Sequence, residues 1–273
     1  MPEGHAIHRI ARDHNRDFAG QSLIVTSPQG RFVLGARRIN GETLERVEAH
    51  GKHLCYHWSG GQLLHIHLGL YGRFRNHRSP PPEPRGQVRL RIIGEGKSFD
   101  LNGPNRCELL THEEWRLLRN RLGEDPLRDD GDPTVAWRKV QASRAAIGSL
   151  LLNQSILAGV GNIYRSEVLF LLRIHPATPA KYLSRGQFDD LWSELQRLLQ
   201  IGVRYNRIIV AEPEAVGRPR SKMRREERLL IYKKQHCSSC GARVHSWELA
   251  ARTVYACSRC QPHPRANREV ARP

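Results

Sequence analysis

The sequence predicts an α+β protein in which an N-terminal helix and an antiparallel β-sandwich precede a helical domain and a cysteine-bearing β-hairpin. Three observations predict this order: apolar residues recur at helical spacing over 2–19, short strand-like runs follow as far as residue 101, and helical spacing returns after residue 133. The predicted boundaries are a β-sandwich domain at 1–125, a helical domain at 133–230, a hairpin domain at 231–262 and a disordered tail at 263–273.

The first helix is predicted because Ile7, Ala11 and Phe18 share one apolar stripe, which ends at Gly20. Strands are predicted wherever β-branched, aromatic and leucine residues cluster between turn signals such as glycines: 23–26, 31–34, 53–58, 63–68 and 88–93. The proline-rich stretch 79–84 is predicted to be an exposed loop.

An acidic, turn-rich stretch at 123–133 predicts a linker between the two domains. Beyond it, helices are predicted where apolar residues recur every three or four positions: 135–141, 147–152, 163–172 and 188–203. The basic run at 218–228 is predicted to be a loop that is either solvated or faces a polyanion.

The charge balance indicates a polyanionic partner. The chain has 44 Lys+Arg against 27 Asp+Glu, a net charge of +17 that is spread along the sequence. Nucleic acid is the usual partner of such a surface, because every neutralised phosphate releases a counterion. A membrane partner is disfavoured, since no apolar run reaches the length of about 18 residues that a spanning helix needs. Charged residues such as Arg9 also interrupt the apolar run that a signal peptide would need near the N-terminus. The predicted location is therefore the cytoplasm.

Four of the six cysteines form two Cys-x-x-Cys pairs near the C-terminus, Cys237 with Cys240 and Cys257 with Cys260. This spacing is typical of a four-thiolate zinc site, and two disulfides or a redox pair are the alternatives. One zinc ion would be structural, because four protein ligands leave no position for water. The residues between the pairs predict a zinc-ribbon hairpin with Arg252 near its tip.

A second pattern, at 152–167, predicts an apolar helix, a turn containing Gly159 and Gly161, and a further helix that starts at Asn162. Glycines let a backbone approach a ligand closely, and a helix N-terminus offers N–H groups to a phosphate. Asn162 could cap this helix or donate its amide to that phosphate. The alternative is an ordinary helical hairpin turn.

The N-terminus could supply a nucleophile. Removal of Met1 would leave a secondary amine on Pro2, next to the carboxyl group of Glu3. An α-amino group has a reference pKa of roughly 7.7–8.0, so part of it is neutral and nucleophilic near neutral pH. The alternative is that Pro-Glu merely suits the first turn of a helix.

Two short stretches in the β-rich part could contact DNA. Lys52 precedes a predicted strand, and a lysine at such a position is usually a solvent-exposed residue without a specific role. Leu70 and Tyr71 lie between Gly69 and Gly72, and apolar side chains on such a loop could act as a wedge inserted into a base stack.

Together these stretches resemble the formamidopyrimidine-DNA glycosylase/endonuclease VIII family of base-excision enzymes. The resemblance extends from Pro2 to Cys260, and its most specific part is the ten-residue run Ala-Gly-Val-Gly-Asn-Ile-Tyr-Arg-Ser-Glu at 158–167. It implies a catalytic β-sandwich domain, a helix–two-turn–helix DNA-binding domain and a zinc finger. It also implies a monomeric, bacterial-type enzyme that binds damaged DNA and associates with the nucleoid when bound.

The resemblance implies the following roles. Pro2 attacks C1′ of the damaged nucleotide and forms a Schiff base, and Glu3 transfers protons. Lys52 binds phosphate and supports catalysis. Asn162 and Arg252 bind the phosphates that flank the lesion, and Arg252 is also a catalytic residue. β- and then δ-elimination follow.

The stretch His-Leu-Gly-Leu-Tyr-Gly at 67–72 is similar to the endonuclease VIII branch, which implies oxidised pyrimidines as substrates; the alternative within the family is a preference for 8-oxoguanine and formamidopyrimidines. In this chain His5 and Ala6 replace a second glutamate that relatives often carry. The rival from another functional class is a non-catalytic, zinc-containing protein that binds lesions in DNA.

Overall fold

The structure is a computed structural model that describes residues 2–264, so the predicted tail lies outside the described residues except for His263 and Pro264. The chain divides into two compact units, Met1–Arg121 and Leu122–Pro273. Among the described residues, no helix combines the length and the apolarity that crossing a membrane requires.

The first unit contains three helices and eight strands. Its helices are α1 (Gly4–Phe18), α2 (Val33–Ile39) and α3 (His112–Arg121). Its strands are β1 (Ile24–Thr26), β2 (Leu44–His50), β3 (His53–Trp58), β4 (Leu63–His67), β5 (Arg73–Arg78), β6 (Val88–Ile93), β7 (Lys97–Asn102) and β8 (Arg106–Leu110).

The strands form two four-stranded antiparallel sheets, in the orders β1-β6-β7-β5 and β2-β3-β4-β8. Alternate residues of both sheets enter one apolar core, among them Tyr56, Ile66, Leu90 and Phe99. The predicted α+β class is therefore confirmed. The proline-rich loop between β5 and β6 is mostly exposed, as the sequence predicts.

Helix α1 is attached to this sandwich by polar as well as apolar contacts. The Asn15 amide donates to the Val47 carbonyl and accepts from the Val47 N–H at 2.6 and 2.7 Å, which pairs the helix with the backbone of β2. His14 stacks on Phe99 with ring centroids 4.4 Å apart, and its Nδ1 lies 2.7 Å from the Tyr56 hydroxyl. These contacts hold the N-terminal end of the chain on a rigid support.

The strand predicted at 31–34 is wrong, because these residues lead into helix α2. Phe32, Ala36 and Ile39 are the buried positions, and this spacing of three and four residues is helical. Gly35, which suggested a turn, lies inside the helix, where the Phe32 ring occupies the space that a Cβ would take. Local β propensity is overridden here by packing.

The second unit is mostly helical. Its helices are α4 (Pro133–Gln141), α5 (Ile147–Leu150), α6 (Asn162–Leu171), α7 (Arg185–Tyr205) and α8 (Pro213–Val216), and its hairpin consists of β9 (Val244–Glu248) and β10 (Thr253–Cys257). Helix α7 begins with a capping box, in which Ser184 and Gln187 satisfy each other's backbone N–H groups. One apolar core includes Leu157, Tyr164 and Leu195.

The stretch predicted as a linker at 123–133 is bound to the second unit. The N–H groups of Gly123 and Glu124 donate to the carbonyls of Gln154 and Ile156, and the Ala158 N–H donates to the Glu124 carbonyl. Asp132 caps α4 through the N–H of Thr134. The compact units accordingly separate between residues 121 and 122.

His14 should make the stability of the first unit depend on pH. Burial lowers the pKa of His14 to about 4, whereas a histidine in an unfolded chain titrates near pH 6.5. Between these values the unfolded chain binds a proton that the folded unit does not, so the free energy of unfolding falls as the pH is lowered. Replacing His14→Gln should remove a loss of about 3 kcal/mol between pH 7 and pH 4.

Urea unfolding at four or five pH values measures this slope. The exposed His112 on α3 offers a control, since His112→Gln should leave the pH dependence as it is in the wild type. Parallel pH profiles for His14→Gln and the wild type would contradict the assignment.

Candidate functional site

The start of α1 presents Pro2 and Glu3 from a fixed position. Glu3 is the N-cap residue, with extended backbone angles, and its carbonyl accepts from the N–H of Ala6 at 2.9 Å. Its side chain is only 2% exposed, and Pro2 directly before it is half-buried. The positive end of the helix dipole stabilises a carboxylate at this place. Burial lowers the pKa of the neighbouring His5 to about 4, so its imidazole is neutral near pH 7.

Lys52 occupies the tight turn between β2 and β3. His50 and His53 are register partners, so Gly51 and Lys52 form a two-residue hairpin loop. Gly51 has a φ of 58° at the first turn position, which is typical of a type II′ turn and favours glycine. The turn fixes the backbone of Lys52, whose side chain is half-buried.

Histidines line the outer face of the sheet beside this turn. The register places His50, His53, His67 and Arg106 opposite one another on adjacent strands. His53 Nδ1 lies 2.9 Å from Nε2 of His65. Burial, reinforced by neighbouring positive groups, lowers the pKa of His53 to about 3. The sheet therefore presents neutral imidazoles beside Lys52.

His65 and His67 alternate along β4 and therefore lie on the same face of the sheet. Among the described residues, the groups of three or more side chains close enough to share a metal ion are the four C-terminal cysteines and the set Glu48, Cys55 and His57. Neither group contains His65 or His67. Nδ1 of His65 lies 3.2 Å from Glu108 on β8 instead.

The loop between β4 and β5 exposes two apolar side chains. Leu70 is 54% exposed and Tyr71 is 84% exposed, which is unusual for residues of this size. The loop needs its glycines: Gly69 has a φ of 64° and a Cβ there would lie 2.8 Å from Asn105, and any side chain on Gly72 would collide with the carbonyl of Leu68. The loop geometry thus holds both apolar tips outwards.

The turn before α6 is held by a residue that the sequence analysis missed. The Gln154 side chain accepts from the Gly159 N–H and donates to the Val160 carbonyl, at 3.1 and 3.0 Å. Gly161 is the N-cap residue, so the alternative that Asn162 caps the helix is wrong. Asn162 is the first helical residue and instead donates through Nδ2 to the Thr253 carbonyl at 2.9 Å.

This contact brings Asn162 to the hairpin that carries Arg252. Strands β9 and β10 pair from Thr253 with Glu248 to Cys257 with Val244, and the turn 249–252 is closed by the Leu249 N–H and the Arg252 carbonyl. Ala250 and Ala251 both have a φ of 54°, a conformation that is strained for alanine. Arg252 follows at the exposed tip, where the sequence predicts it.

The four cysteines at the base of this hairpin fit a metal ion. Their sulfur atoms all lie within 4.8 Å of one another. The Sγ atoms of Cys237 and Cys260 are 3.7 Å apart, and those of Cys240 and Cys257 are 3.5 Å apart. Four thiolates around zinc at about 2.3 Å would be about 3.8 Å apart. The cluster therefore has the donor set and the spacing of a tetrahedral zinc-binding site.

Comparison with known proteins gives consistent matches over the chain. Residues 1–107 match the formamidopyrimidine-DNA glycosylase N-terminal domain, and residues 122–213 match the formamidopyrimidine-DNA glycosylase H2TH domain. The curated protein endonuclease 8 1 of Mycobacterium tuberculosis is 43% identical over 267 residues, which are 96% of this chain and 100% of the relative. The formamidopyrimidine-DNA glycosylase of Thermomicrobium roseum is 30% identical over 83% of this chain and 84% of its own length.

Solved structures agree in fold. The complex between the Lactococcus lactis Fpg and DNA containing an abasic site has a TM-score of 0.78 and 24% identity, and the match covers 96% of this chain and 100% of that chain. The complex of the same bacterial protein with DNA containing N7-benzyl-Fapy-dG has a TM-score of 0.79 and 23% identity, with the same coverage.

The cysteine cluster predicts one zinc ion per chain. Replacing Cys240→Ala should abolish stoichiometric zinc and lower the melting temperature, because one of four thiolate ligands is lost. Elemental analysis of purified protein and thermal unfolding measure both effects. Cys107→Ala is the matched control, since this half-buried thiol on β8 lies outside the cluster. Equal zinc content in the two variants would exclude the site.

Proposed function

The chain belongs to the formamidopyrimidine-DNA glycosylase/endonuclease VIII family, and on that premise we propose that it excises oxidised pyrimidines from DNA as a bifunctional glycosylase and abasic-site lyase. The observation that carries the proposal is the start of α1, where buried Glu3 follows half-buried Pro2 on a helix anchored in the core. Covalent catalysis by an amine needs such a nucleophile and a proton donor on a rigid support.

The proposed chemistry begins once Met1 is removed and Pro2 carries a free secondary amine. Its nitrogen bonds to C1′ of the damaged nucleotide while the bond from C1′ to the base breaks, and the base leaves with the proton that the nitrogen gives up. Glu3 then protonates the sugar ring oxygen, the bond from C1′ to that oxygen opens, and the nitrogen lone pair completes the Schiff base.

Strand cleavage follows from the Schiff base, which acidifies the proton on C2′. Loss of this proton expels the 3′ phosphate in a β-elimination, and a second proton loss expels the 5′ phosphate in a δ-elimination. Water then releases the sugar fragment and regenerates the amine of Pro2. The carboxyl group of Glu3 is suited to these proton transfers because it is buried and belongs to the residue next to the amine.

Cations and amides of both units would bind the DNA backbone. In the first unit Lys52 offers a point charge from a rigid turn. In the second unit Asn162 and Arg252 act together, since the Asn162 side chain bonds to the backbone next to Arg252. In this proposal a single structural zinc ion, held by the four cysteines, stiffens the hairpin that presents Arg252 and takes no part in the elimination.

Two observations support a preference for oxidised pyrimidines. The exposed Leu70 and Tyr71 form the loop that resembles the endonuclease VIII branch, and the identity is higher with endonuclease 8 1 than with the formamidopyrimidine-DNA glycosylase of Thermomicrobium roseum. The monomeric state and the cytoplasmic location stay predictions.

Borohydride trapping tests the amine mechanism. Wild-type protein with Met1 removed should form a covalent adduct with an oligonucleotide that carries one abasic site, because borohydride reduces the Schiff base on Pro2. Peptide mapping should place the adduct at residue 2. Pro2→Gly keeps a primary amine and serves as the matched variant, whereas a form that retains Met1 should give no adduct.

An enzyme with Met1 removed and zinc bound that binds this DNA but forms no adduct would favour the rival function, non-catalytic lesion binding.

The lesion preference is measured separately, by single-turnover cleavage of duplexes that carry either an oxidised pyrimidine or 8-oxoguanine. Faster cleavage of the 8-oxoguanine duplex would overturn the proposed substrate class and leave the amine mechanism intact.

The wedge role of the β4–β5 loop gives a further prediction. Leu70→Ala and Tyr71→Ala should each slow single-turnover excision from a fully paired duplex by about tenfold, because the void left by a flipped base is no longer filled. Excision from single-stranded DNA should change much less. Leu117→Ala and Tyr182→Ala are matched controls, since these side chains are also exposed, at 51% and 55%. Equal slowing on both substrates would rule out a wedge.

A further inference from the structure

Arg165 is a buried cation in the core of the second unit. Its relative exposure is 0%, although arginine is among the residues least often buried. The side chain projects from the first turn of α6, three residues after Asn162. A buried guanidinium is costly unless its N–H groups are hydrogen-bonded, so its partners indicate what the residue does.

The partners of Arg165 lie mainly in the hairpin turn. Nη1 donates to the Leu249 carbonyl at 3.0 Å, and Nη2 donates to the carbonyls of Arg252 and Thr253, each at 3.3 Å. Nη1 also donates to the Gly148 carbonyl at 3.2 Å, on α5. Both ends of the turn 249–252 are therefore bound to one planar group.

The same guanidinium orients Asn162. Nη2 of Arg165 donates to Oδ1 of Asn162, while Nδ2 of Asn162 donates to the Thr253 carbonyl. These two bonds fix which way the amide faces. Arg165, Asn162 and the Thr253 carbonyl are thus joined in a ring of hydrogen bonds. This ring restrains the Asn162 amide relative to the backbone beside Arg252.

A second charged side chain of α6 secures the other end of the hairpin domain. The carboxylate of Glu167 accepts from the N–H groups of Leu230, Ile231 and Tyr232 at 2.8, 3.1 and 2.8 Å. Burial raises the pKa of Glu167, and these three N–H groups oppose that rise. Glu167 holds the chain where it enters the hairpin domain, and Arg165 holds the tip.

We propose that Arg165 is a positioning residue, which sets the distance between the Asn162 amide and the Arg252 guanidinium so that both meet the DNA backbone. The inference rests on the proposed function, in which these two groups grip phosphates. Arginine suits the task because its planar fork binds several oxygens in fixed directions, whereas a lysine ammonium is a single point charge on a flexible stem.

Arg165→Lys tests the proposal because it conserves the charge. We expect the dissociation constant for a duplex with a non-cleavable abasic analogue to rise about tenfold. The slope of log K against log salt concentration should become shallower by the amount expected for about one phosphate contact, although the substitution removes no charge. The rate of adduct formation at saturating protein should change less than twofold. Arg185→Lys, in an exposed ion pair with Asp189 on α7, is the matched control.

A double-mutant cycle with Arg252→Ala identifies the route of the effect. Because Arg165 acts through both Arg252 and Asn162, adding Arg165→Lys to Arg252→Ala should weaken binding clearly less than the tenfold loss that Arg165→Lys causes alone. Additive losses, or a salt dependence equal to that of Arg185→Lys, would overturn the proposal. If Arg252→Ala alone leaves DNA binding unchanged, the proposed phosphate grip fails instead.

Folding is checked by the zinc content and the melting temperature of each variant. Arg165→Gln, which keeps an amide donor without the charge, is the second variant and should show the same coupling to Arg252. Loss of the folded second unit in both variants, while Arg252→Ala folds, would assign Arg165 to stability alone and would reject a positioning role.

Discussion

Buried charge that is hydrogen-bonded to backbone groups is the constraint on which the second unit depends. Arg165 binds carbonyl oxygens, Glu167 binds N–H groups, and both project from the same helix. Truncating either side chain would remove several hydrogen bonds to the backbone of the hairpin domain, and truncating Glu167 would also leave the buried N–H group of Ile231 without its partner, which is more costly than the loss of a surface contact. The position of Arg252 is therefore determined from α6, and the cysteine cluster acts on a hairpin that is already oriented at two points.

The first unit solves a similar problem at the start of the chain. Chain termini are usually mobile, yet Glu3 is buried and the helix behind it is fixed by Asn15 on the backbone of β2. His14 adds an aromatic contact with Phe99 on the other sheet. A polar pair and a buried neutral imidazole thus give the first residues the rigidity that a nucleophile requires.

Much of the fold follows from patterns that the sequence displays directly. Helices α1, α4, α6 and α7 have apolar residues at helical spacing, and β3, β4 and β6 consist of residues that favour strands. The strand predicted at 31–34 is wrong because four residues are too few to distinguish a strand from a helix, and the helical spacing of Phe32, Ala36 and Ile39 is visible only over the longer segment. Strands β2, β5, β7 and β8 have charged residues between their apolar ones, which hides them from a search for apolar runs.

The candidate site was likewise predictable from the sequence only in part. The spacing of the cysteines along the chain was enough to predict both the cysteine cluster and the position of Arg252 at the hairpin tip. The partners of Asn162 were not visible, because Thr253 is 91 residues away and arginine and glutamate normally predict an exposed helix face. Among the resemblances, the ten-residue run at 158–167 was the most informative, and it contains both buried charges.

The turn of two alanines at the hairpin tip has a consequence for how the second unit is assembled. Each left-handed alanine costs roughly 1–2 kcal/mol, so the segment has no local preference for the turn that it adopts. Its conformation has to come from Arg165 and Asn162, which belong to a distant part of the chain. The shape of the tip is therefore stabilised by contacts with α6 and not by the propensity of its own residues, so a change that releases these contacts would also release the turn.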